Sequence, residues 1–287
     1  MDPLILSSSI VENFIAPRKS TSRKGENGIV LVVGGSYIYH GAPILSSLAA
    51  LRTGTDLVYT CVPKINVAST RSVSPNLIVI PLVDQKLTLG AVKKLVGALP
   101  RNLHSATIGM GLAIQEKNSL LHLVKSLLDR DVRLSLDASA LIPEVLPILA
   151  NKNVVVTPHA GEFKRLFGDV PSNSISERIE LVKQNASKYG ITILLKGPTD
   201  VISDGNMTYL CKKNTPAMTV GGTGDVLSGL VAGLLATNRS CLESAATASF
   251  ICGLAGKEIQ DKLGLHITSM DLIDCIPSIM KPFDKII

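Results

Sequence analysis

Short runs that are apolar at every position recur along this chain, each closed by glycine, proline or a polar residue. The clearest is Ile29-Val30-Leu31-Val32-Val33, set between Gly28 and the pair Gly34-Gly35. An element without a polar face is covered on both sides, so this run predicts a strand inside a parallel sheet flanked by helices. Similar runs predict strands over residues 57–62, 76–82, 106–110, 133–136, 154–157 and 192–195. Segments with helical spacing fall between them at 44–52, 66–73, 89–99, 117–128 and 174–189, with a further helix starting near Phe163. Ahead of the series, Ser9-Ile10-Val11-Glu12 has capping-box spacing and predicts a short first helix that stops before Pro17. Strands that alternate with helices imply right-handed crossovers and an α/β fold with a central, mostly parallel sheet.

The rhythm changes late in the chain. Val201-Ile202-Ser203 and Met207-Thr208-Tyr209-Leu210 flank Asp204-Gly205-Asn206, which predicts a β-hairpin. Three helices follow, at 225–237, 242–263 and 269–280. The alanine-rich stretch 244–255 suits close packing, either inside the molecule or against a second copy.

Composition narrows the picture. Of 287 residues, 46% are hydrophobic but only 3% aromatic, with no tryptophan, so the core is to be built from Leu, Ile, Val and Ala. No repeat, low-complexity tract or long linker divides residues 1–287, which are expected to form one domain. The net charge of +6 would attract anionic ligands such as nucleotides. The Lys and Arg residues are scattered, however, and the short cluster Arg18, Lys19, Arg23, Lys24 reads as a solvated face, so a nucleic-acid partner is not expected. Five cysteines without a Cys-x-x-Cys pair argue for a reducing, cytoplasmic setting and against a metal–thiolate centre. Asp2 and the brief apolar run 3–6 support neither a signal peptide nor a membrane anchor.

Chemistry concentrates at one stretch, Gly221-Gly222-Thr223-Gly224-Asp225-Val226-Leu227-Ser228-Gly229, which opens into an apolar helix. Four glycines in nine residues are costly to a helix, so the turn is wanted for itself. Such a turn aims free backbone N–H groups at one point on the positive end of the helix dipole, where a phosphate can sit. Asp225 stands beside that anion hole. A carboxylate next to bound phosphate is unfavourable unless it has a task, and accepting a proton from a substrate hydroxyl is the obvious one. The plainer alternative has Asp225 capping the helix.

Asp137, His159, Glu162 and Lys196 follow other predicted strands. His159, Glu162 and Lys196 also have ordinary structural readings: a satisfied loop histidine, an N-cap or first-turn acid, an exposed cation. Polar residues at so many strand ends nonetheless point to a shared ligand, because open α/β sheets bind ligands at that edge.

The set Gly34-Gly35-Ser36 with Tyr39 and Gly41-Ala42-Pro43, then Thr157-Pro158-His159-Ala160-Gly161-Glu162-Phe163, Lys196-Gly197 and Gly222-Thr223-Gly224-Asp225-Val226-Leu227-Ser228-Gly229, resembles the NAD(P)H-hydrate dehydratase family. The resemblance runs from about Ile10 nearly to the end, with the motifs in order. It implies a ribokinase-like three-layer αβα sandwich with a late β-hairpin. It also implies repair of the S-epimer of hydrated NADH or NADPH by phosphorylation of the ring hydroxyl from ADP or ATP with Mg²⁺, followed by elimination of phosphate.

On that resemblance Asp225 is the base and touches substrate, and the amides of Gly222, Thr223 and Gly224 hold the moving phosphoryl group. Lys196, Gly197, Pro198, Thr199, Asp200 and Gly224 bind the nucleotide, while Ala42, Gly111 and His159 contact the hydrate. Glu162 organises Mg²⁺ and water, the metal ligands themselves staying open. The Pro-His-x-Gly-Glu form of its motif implies preference for ADP. A homotetramer and a separate NAD(P)H-hydrate epimerase are further expectations of the resemblance. Three positions depart from the family pattern: Met110 between Gly109 and Gly111 where proline is usual, Ser139 after Asp137-Ala138 where a second acid is common, and Ala217 before Met218 where glycine is usual. Two rivals share the anion hole: a small-molecule kinase acting on a hydroxymethylpyrimidine or thiazole alcohol, and a noncatalytic adenylate sensor.

Overall fold

The computed structural model describes residues 2–213, 215–237 and 240–287. In chain order its elements are β1 (Leu4–Ile5), α1 (Ser8–Phe14), β2 (Ile29–Val33), α2 (Gly41–Arg52), β3 (Leu57–Pro63), α3 (Val67–Val73), β4 (Leu77–Leu82), α4 (Leu89–Ala98), β5 (Ser105–Ile108), α5 (Lys117–Leu128), β6 (Arg133–Leu136), α6 (Leu146–Leu149), β7 (Val154–Val156), α7 (Ala160–Phe167), α8 (Ile175–Tyr189), β8 (Thr192–Leu195), β9 (Thr199–Ser203), β10 (Thr208–Lys212), α9 (Thr223–Ala236), α10 (Cys241–Leu263) and α11 (Ser269–Met280).

The strands form one sheet in the order β1-β10-β9-β8-β7-β6-β5-β2-β3-β4. Among the described residues only β9 runs against its neighbours, pairing antiparallel with β8 and β10. The sequence-based expectation of a mostly parallel sheet with a late hairpin is therefore met. The chain winds outward from β2 through β3 to β4, then returns to β5 on the other side of β2. The strand order reverses between β2 and β5, and at such a switch point the loops part to leave a crevice.

All five residues of β2 are buried. Leu31 and Val33 join a core shared with α4, α5, α7 and α8, whereas Val30 and Val32 point to the opposite face against Ala50 of α2 and Ala232 of α9. Beside them a larger core gathers α1, α9, α10 and α11 on the hairpin half of that face. Two-residue alternation explains why every position of the strand had to be apolar. Residues 244–249 are fully buried or nearly so, packed within the monomer. Of the two readings of the alanine-rich stretch, internal packing holds.

Helix α9 is anchored to the sheet from below. Ser105 Oγ donates to the Ala232 carbonyl at 2.6 Å, and the hydroxyls of Thr107 and Ser228 lie 2.6 Å apart. On its outer side α9 meets α2 so closely that a Cβ at Gly229 would lie 2.0 Å from the Ser46 carbonyl oxygen. This contact explains the fourth glycine of the Gly221 to Gly229 stretch, which the turn itself does not need.

One expectation fails locally. Helix α1 begins at Ser8, with Ser7 preceding it, so Ser9 sits inside the first turn and caps nothing. The preceding chain is fixed by β1, whose pairing with β10 continues in the hydrogen bond from Leu6 N–H to the Leu210 carbonyl at 2.9 Å. Strand β1 itself is too short for any periodicity to show. Among the described residues no helix is long and apolar enough to cross a membrane.

Replacing Gly229 by valine is expected to lower stability by about 2 kcal/mol or more, since α2 backbone must move to admit the side chain. Thermal unfolding of the variant checks this; an unchanged Tm would show that the two helices separate at no cost.

Candidate active site

The strand ends of the switch region converge as expected. Asp137 directly follows β6 and is 2% exposed. Its Oδ1 accepts from Thr157 Oγ1 at 2.9 Å and from Lys196 Nζ at 2.9 Å. Lys196 follows β8, and its backbone N–H donates to the Pro158 carbonyl at 2.8 Å, which fixes the start of its side chain between the ends of β7 and β8. Its Nζ also lies 3.6 Å from Glu162 Oε2. Burial works against this ammonium, but attraction to Asp137 and Glu162 outweighs it and holds its proton affinity above that of an ordinary lysine.

His159 and Glu162 form a reciprocal cap on α7. The ring Nδ1 accepts from the N–H groups of Gly161 and Glu162 at 3.0 and 3.2 Å, and Glu162 Oε2 accepts from His159 N–H at 2.9 Å. Nδ1 is thus an acceptor, which places the ring proton on Nε2. The imidazole is largely exposed, and Nε2 lies 3.5 Å from Glu162 Oε1. This cap starts the helix at Ala160, three residues earlier than the sequence suggests.

The glycine turn opens α9. Gly222 has φ of 93°, the left-handed region that L side chains avoid, and a Cβ there would meet Leu45 and Ser269. Ser269 Oγ, at the start of α11, donates to the Gly221 carbonyl at 2.7 Å and holds the turn from outside. A Cβ on Gly224 would lie 3.5 Å from Lys196 Nζ, so the lysine head abuts the free amides of the first turn of α9. Cation, amides and helix dipole face one spot, which suits a phosphoryl group.

Asp225 sits in that first turn. Among the described residues its carboxylate takes part in no hydrogen bond or ion pair, so it does not cap the helix. Its pKa is pushed up to about 7, chiefly by burial and then by the negative charge of Asp137; Lys196 opposes the shift and Glu162 adds to it. A half-buried, unpartnered carboxylate of this basicity is equipped to take a proton near neutral pH.

Next to Asp225 and the turn opens a cavity of about 570 Å³ lined by Lys196, Gly197, Pro198, Lys213, Thr215, Pro216, Met218, Thr219, Thr223, Gly224 and Leu227. Its mixed wall, apolar at Pro216, Met218 and Leu227 and cationic at Lys196, has the size and chemistry for a nucleotide. Lys213, Thr215, Pro216, Met218 and Thr219 escape the sequence reading, because they lie between the hairpin and the glycine turn in a stretch without regular spacing.

Asp200 differs from its expected place. It is fully buried, and its carboxylate accepts from Gly197 N–H at 3.0 Å, Ser249 Oγ at 2.7 Å and Lys213 Nζ at 2.6 Å. It therefore fixes the Lys196-Gly197 loop from behind and does not face the cavity. Thr199 is half-buried and Pro198 exposed at the rim.

On the other side of Asp137, Gly111 packs so tightly that a Cβ there would lie 2.7 Å from Tyr39 Cβ and 3.2 Å from Ala42 Cβ. The loops after β2 and β5 are also tied by Gly35 N–H donating to the Met110 carbonyl at 2.9 Å. Ala42 and Gly111 thus lie side by side at the switch point.

The protein-family model for NAD(P)H-hydrate dehydratases matches residues 30–278. The chain is 80% identical over 281 residues to the ADP-dependent (S)-NAD(P)H-hydrate dehydratase of Nitrosopumilus maritimus, covering 98% of each. It is 64% identical to the protein of the same name from Cenarchaeum symbiosum, over 96% of each chain. The solved ADP/ATP-dependent NAD(P)H-hydrate dehydratase of Bacillus subtilis, co-crystallised with ATP and Mg²⁺, superposes with a TM-score of 0.86 at 27% identity, covering 99% of this chain and all of that one. The chain belongs to the NAD(P)H-hydrate dehydratase family. Its fold is the ribokinase-like αβα sandwich.

The departures from the dehydratase pattern are absorbed by packing. Met110 is fully buried, Ser139 lies in a tight turn whose N–H reaches the Gly109 carbonyl at 3.3 Å, and Ala217 N–H donates to Gln260 Oε1 at 3.1 Å. For a divalent cation, both Glu162 oxygens already face His159, and Oε2 also faces Lys196. No group of three His, Cys, Asp or Glu among the described residues is placed to hold a metal.

Because the folded pKa of Asp225 lies above its unfolded value, its ionisation costs stability as pH rises through about 7. Asp225→Asn is expected to raise Tm by a few degrees at pH above about 7, the gain shrinking toward pH about 4, where both states of the wild type bind the proton. Scanning calorimetry across that range checks it; a gain independent of pH contradicts the buried-charge account.

Proposed function

We propose that this chain restores hydrated NADH and NADPH, as the S-epimer, to the reduced cofactors, taking a phosphoryl group from ADP. The observation that carries this reading is the unpartnered Asp225 carboxylate in the first turn of α9, beside the amide-lined turn and the Lys196 ammonium. A protein that merely bound adenylate would have no use for a half-buried acid beside phosphate.

Asp225 takes the proton of the ring hydroxyl as its oxygen forms a bond to the terminal phosphorus of the nucleotide, and the bond to the nucleotide's leaving oxygen breaks. The N–H groups of Gly222, Thr223 and Gly224 and the Lys196 ammonium stabilise the charge that develops on the phosphoryl oxygens. Phosphate is a far better leaving group than hydroxide. The ring nitrogen lone pair expels it, and loss of the neighbouring ring proton restores the double bond. Mg²⁺ on the nucleotide phosphates supplies further charge neutralisation when bound. His159 presents Nε2–H at the open rim as a donor to the hydrate, and Gly197 and Pro198 form the nucleotide wall. ADP is assigned as donor in keeping with the names of the two archaeal relatives. A separate epimerase would supply the S-epimer from its mirror at the hydrated carbon.

The test is the growth of reduced-nicotinamide absorbance when purified protein meets hydrated NADH, Mg²⁺ and ADP or ATP. A rise that depends on nucleotide supports the reading, and its size with each nucleotide names the donor. A stable phosphorylated product without that absorbance would instead make the protein a small-molecule kinase, and no reaction at all an adenylate sensor.

Asp225→Asn is expected to lower kcat by a factor on the order of 10²–10⁴ while nucleotide still binds, checked by steady-state rates and calorimetric titration. His159→Ala is expected to raise KM for the hydrate and to leave KM for ADP within about twofold, since His159 is not among the residues that line the cavity beside the glycine turn. A change confined to the ADP constant would remove His159 from the hydrate side.

A further inference from the structure

Three carboxylates, Asp137, Glu162 and Asp225, surround a single cation, Lys196, at the edge of the sheet. The ammonium is not shared evenly. It hydrogen-bonds Asp137 at 2.9 Å, stands 3.6 Å from Glu162 and makes no ion pair with Asp225. Two features hold it there. Thr157 Oγ1 fixes the same Asp137 oxygen at 2.9 Å, and the backbone of Asp137 is pinned by Gly109, where a Cβ would fall 1.9 Å from the Asp137 carbonyl oxygen. Asp137 cannot move toward the centre of the site, and the lysine head is drawn back to it.

We propose that Asp137 is a positioning residue for the reaction: it holds the Lys196 ammonium off Asp225, leaving that carboxylate free to accept the substrate proton while the cation still reaches the phosphoryl site. This rests on the function proposed above and goes further by giving Asp137 a part in it. Without the Asp137 charge, Lys196 turns to the nearest other carboxylates, and pairing with Asp225 makes the base weaker and blocks it. The charged groups that reach Asp225 are Asp137 beyond β6, Lys196 beyond β8 and Glu162 of α7; α2, α10 and α11, which pack on α9, bring none to it among the described residues.

The proposal is tested with Asp137→Asn and Lys196→Met, read in two ways on the full-length protein. The first follows the side-chain carboxyl carbon resonance of Asp225, assigned by its loss in Asp225→Asn, as a function of pH without substrate. Asp137→Asn is expected to move its titration down by about one pH unit or more, and Lys196→Met to move it up. The second is the pH profile of kcat for dehydration: Asp137→Asn is expected to lower the plateau about tenfold or more and shift the acid limb to lower pH, with KM for ADP little changed. The direct charge effect of Asp137 on Asp225 persists in a Lys196→Met background, whereas the part that acts through the lysine is lost there, so the downward shift given by Asp137→Asn is expected to shrink by half or more in the double variant, and an undiminished shift overturns the proposal. Unchanged or same-direction titrations overturn the proposal, as does an Asp137→Asn enzyme with wild-type kcat. If the wild type shows no dehydration, the function fails on its own and the resonance titrations still decide whether Asp137 governs the lysine. Thr157→Val, which removes one anchor of Asp137 and no charge, gives the same downward shift in smaller measure if Asp137→Asn does not fold.

Discussion

The structure depends on one ammonium among three acids. Lys196 neutralises Asp137 closely and Glu162 loosely, so the acids around it keep an excess of negative charge beside the amide-lined turn. That excess is expensive in a half-buried place, and it persists because rigid backbone holds each member: the end of β6 for Asp137, the cap of α7 for Glu162, the glycine turn of α9 for Asp225. Burial first, and then the charge of Asp137, push the pKa of Asp225 up to about 7.

The same economy governs backbone contacts. Where chain segments approach too closely for a side chain, at Gly109 beside Asp137, at Gly111 beside Tyr39 and Ala42, and at Gly229 beside Ser46, a glycine stands. The first two draw the loops after β2, β5 and β6 together; the third seats α9 on α2. All three look alike in a sequence. The difference lies in what the approach positions, and for Gly229 it is the helix that carries Asp225, which Ser228 also ties to Thr107 on β5.

The wall of the large cavity beside the glycine turn is built on a second charge pair set apart from the first. Asp200 is wholly buried and is satisfied by Lys213, Ser249 and the Gly197 amide, so β9, β10, α10 and the loop after β8 meet at one carboxylate. Burial alone would lower the proton affinity of Lys213, but attraction to Asp200 raises it above the ordinary lysine range. Neither partner is left without the other. The wall is therefore stiff, in contrast to the open rim where His159 and the loop Tyr37 to Tyr39 face solvent.

The buried strands, the hairpin and the anion-binding turn were legible in the sequence because their signals are local. Fully apolar runs can only be covered strands, Asp204-Gly205-Asn206 can only reverse the chain, and a glycine-rich turn before a helix exposes its amides wherever it is placed. The motifs around His159, Lys196 and Asp225 added the family. What the tertiary structure decided is relational. That Lys196 pairs with Asp137 and leaves Asp225 alone follows from the order of β6, β7 and β8 in the sheet and from the close approach at Gly109. That Asp200 turns inward while Lys213 and Met218 line the cavity follows from the hairpin's docking on α10, and two-residue β1 exists only because β10 offers it an edge. Distances between residues far apart in sequence are set by sheet order and packing, and no spacing along the chain encodes them.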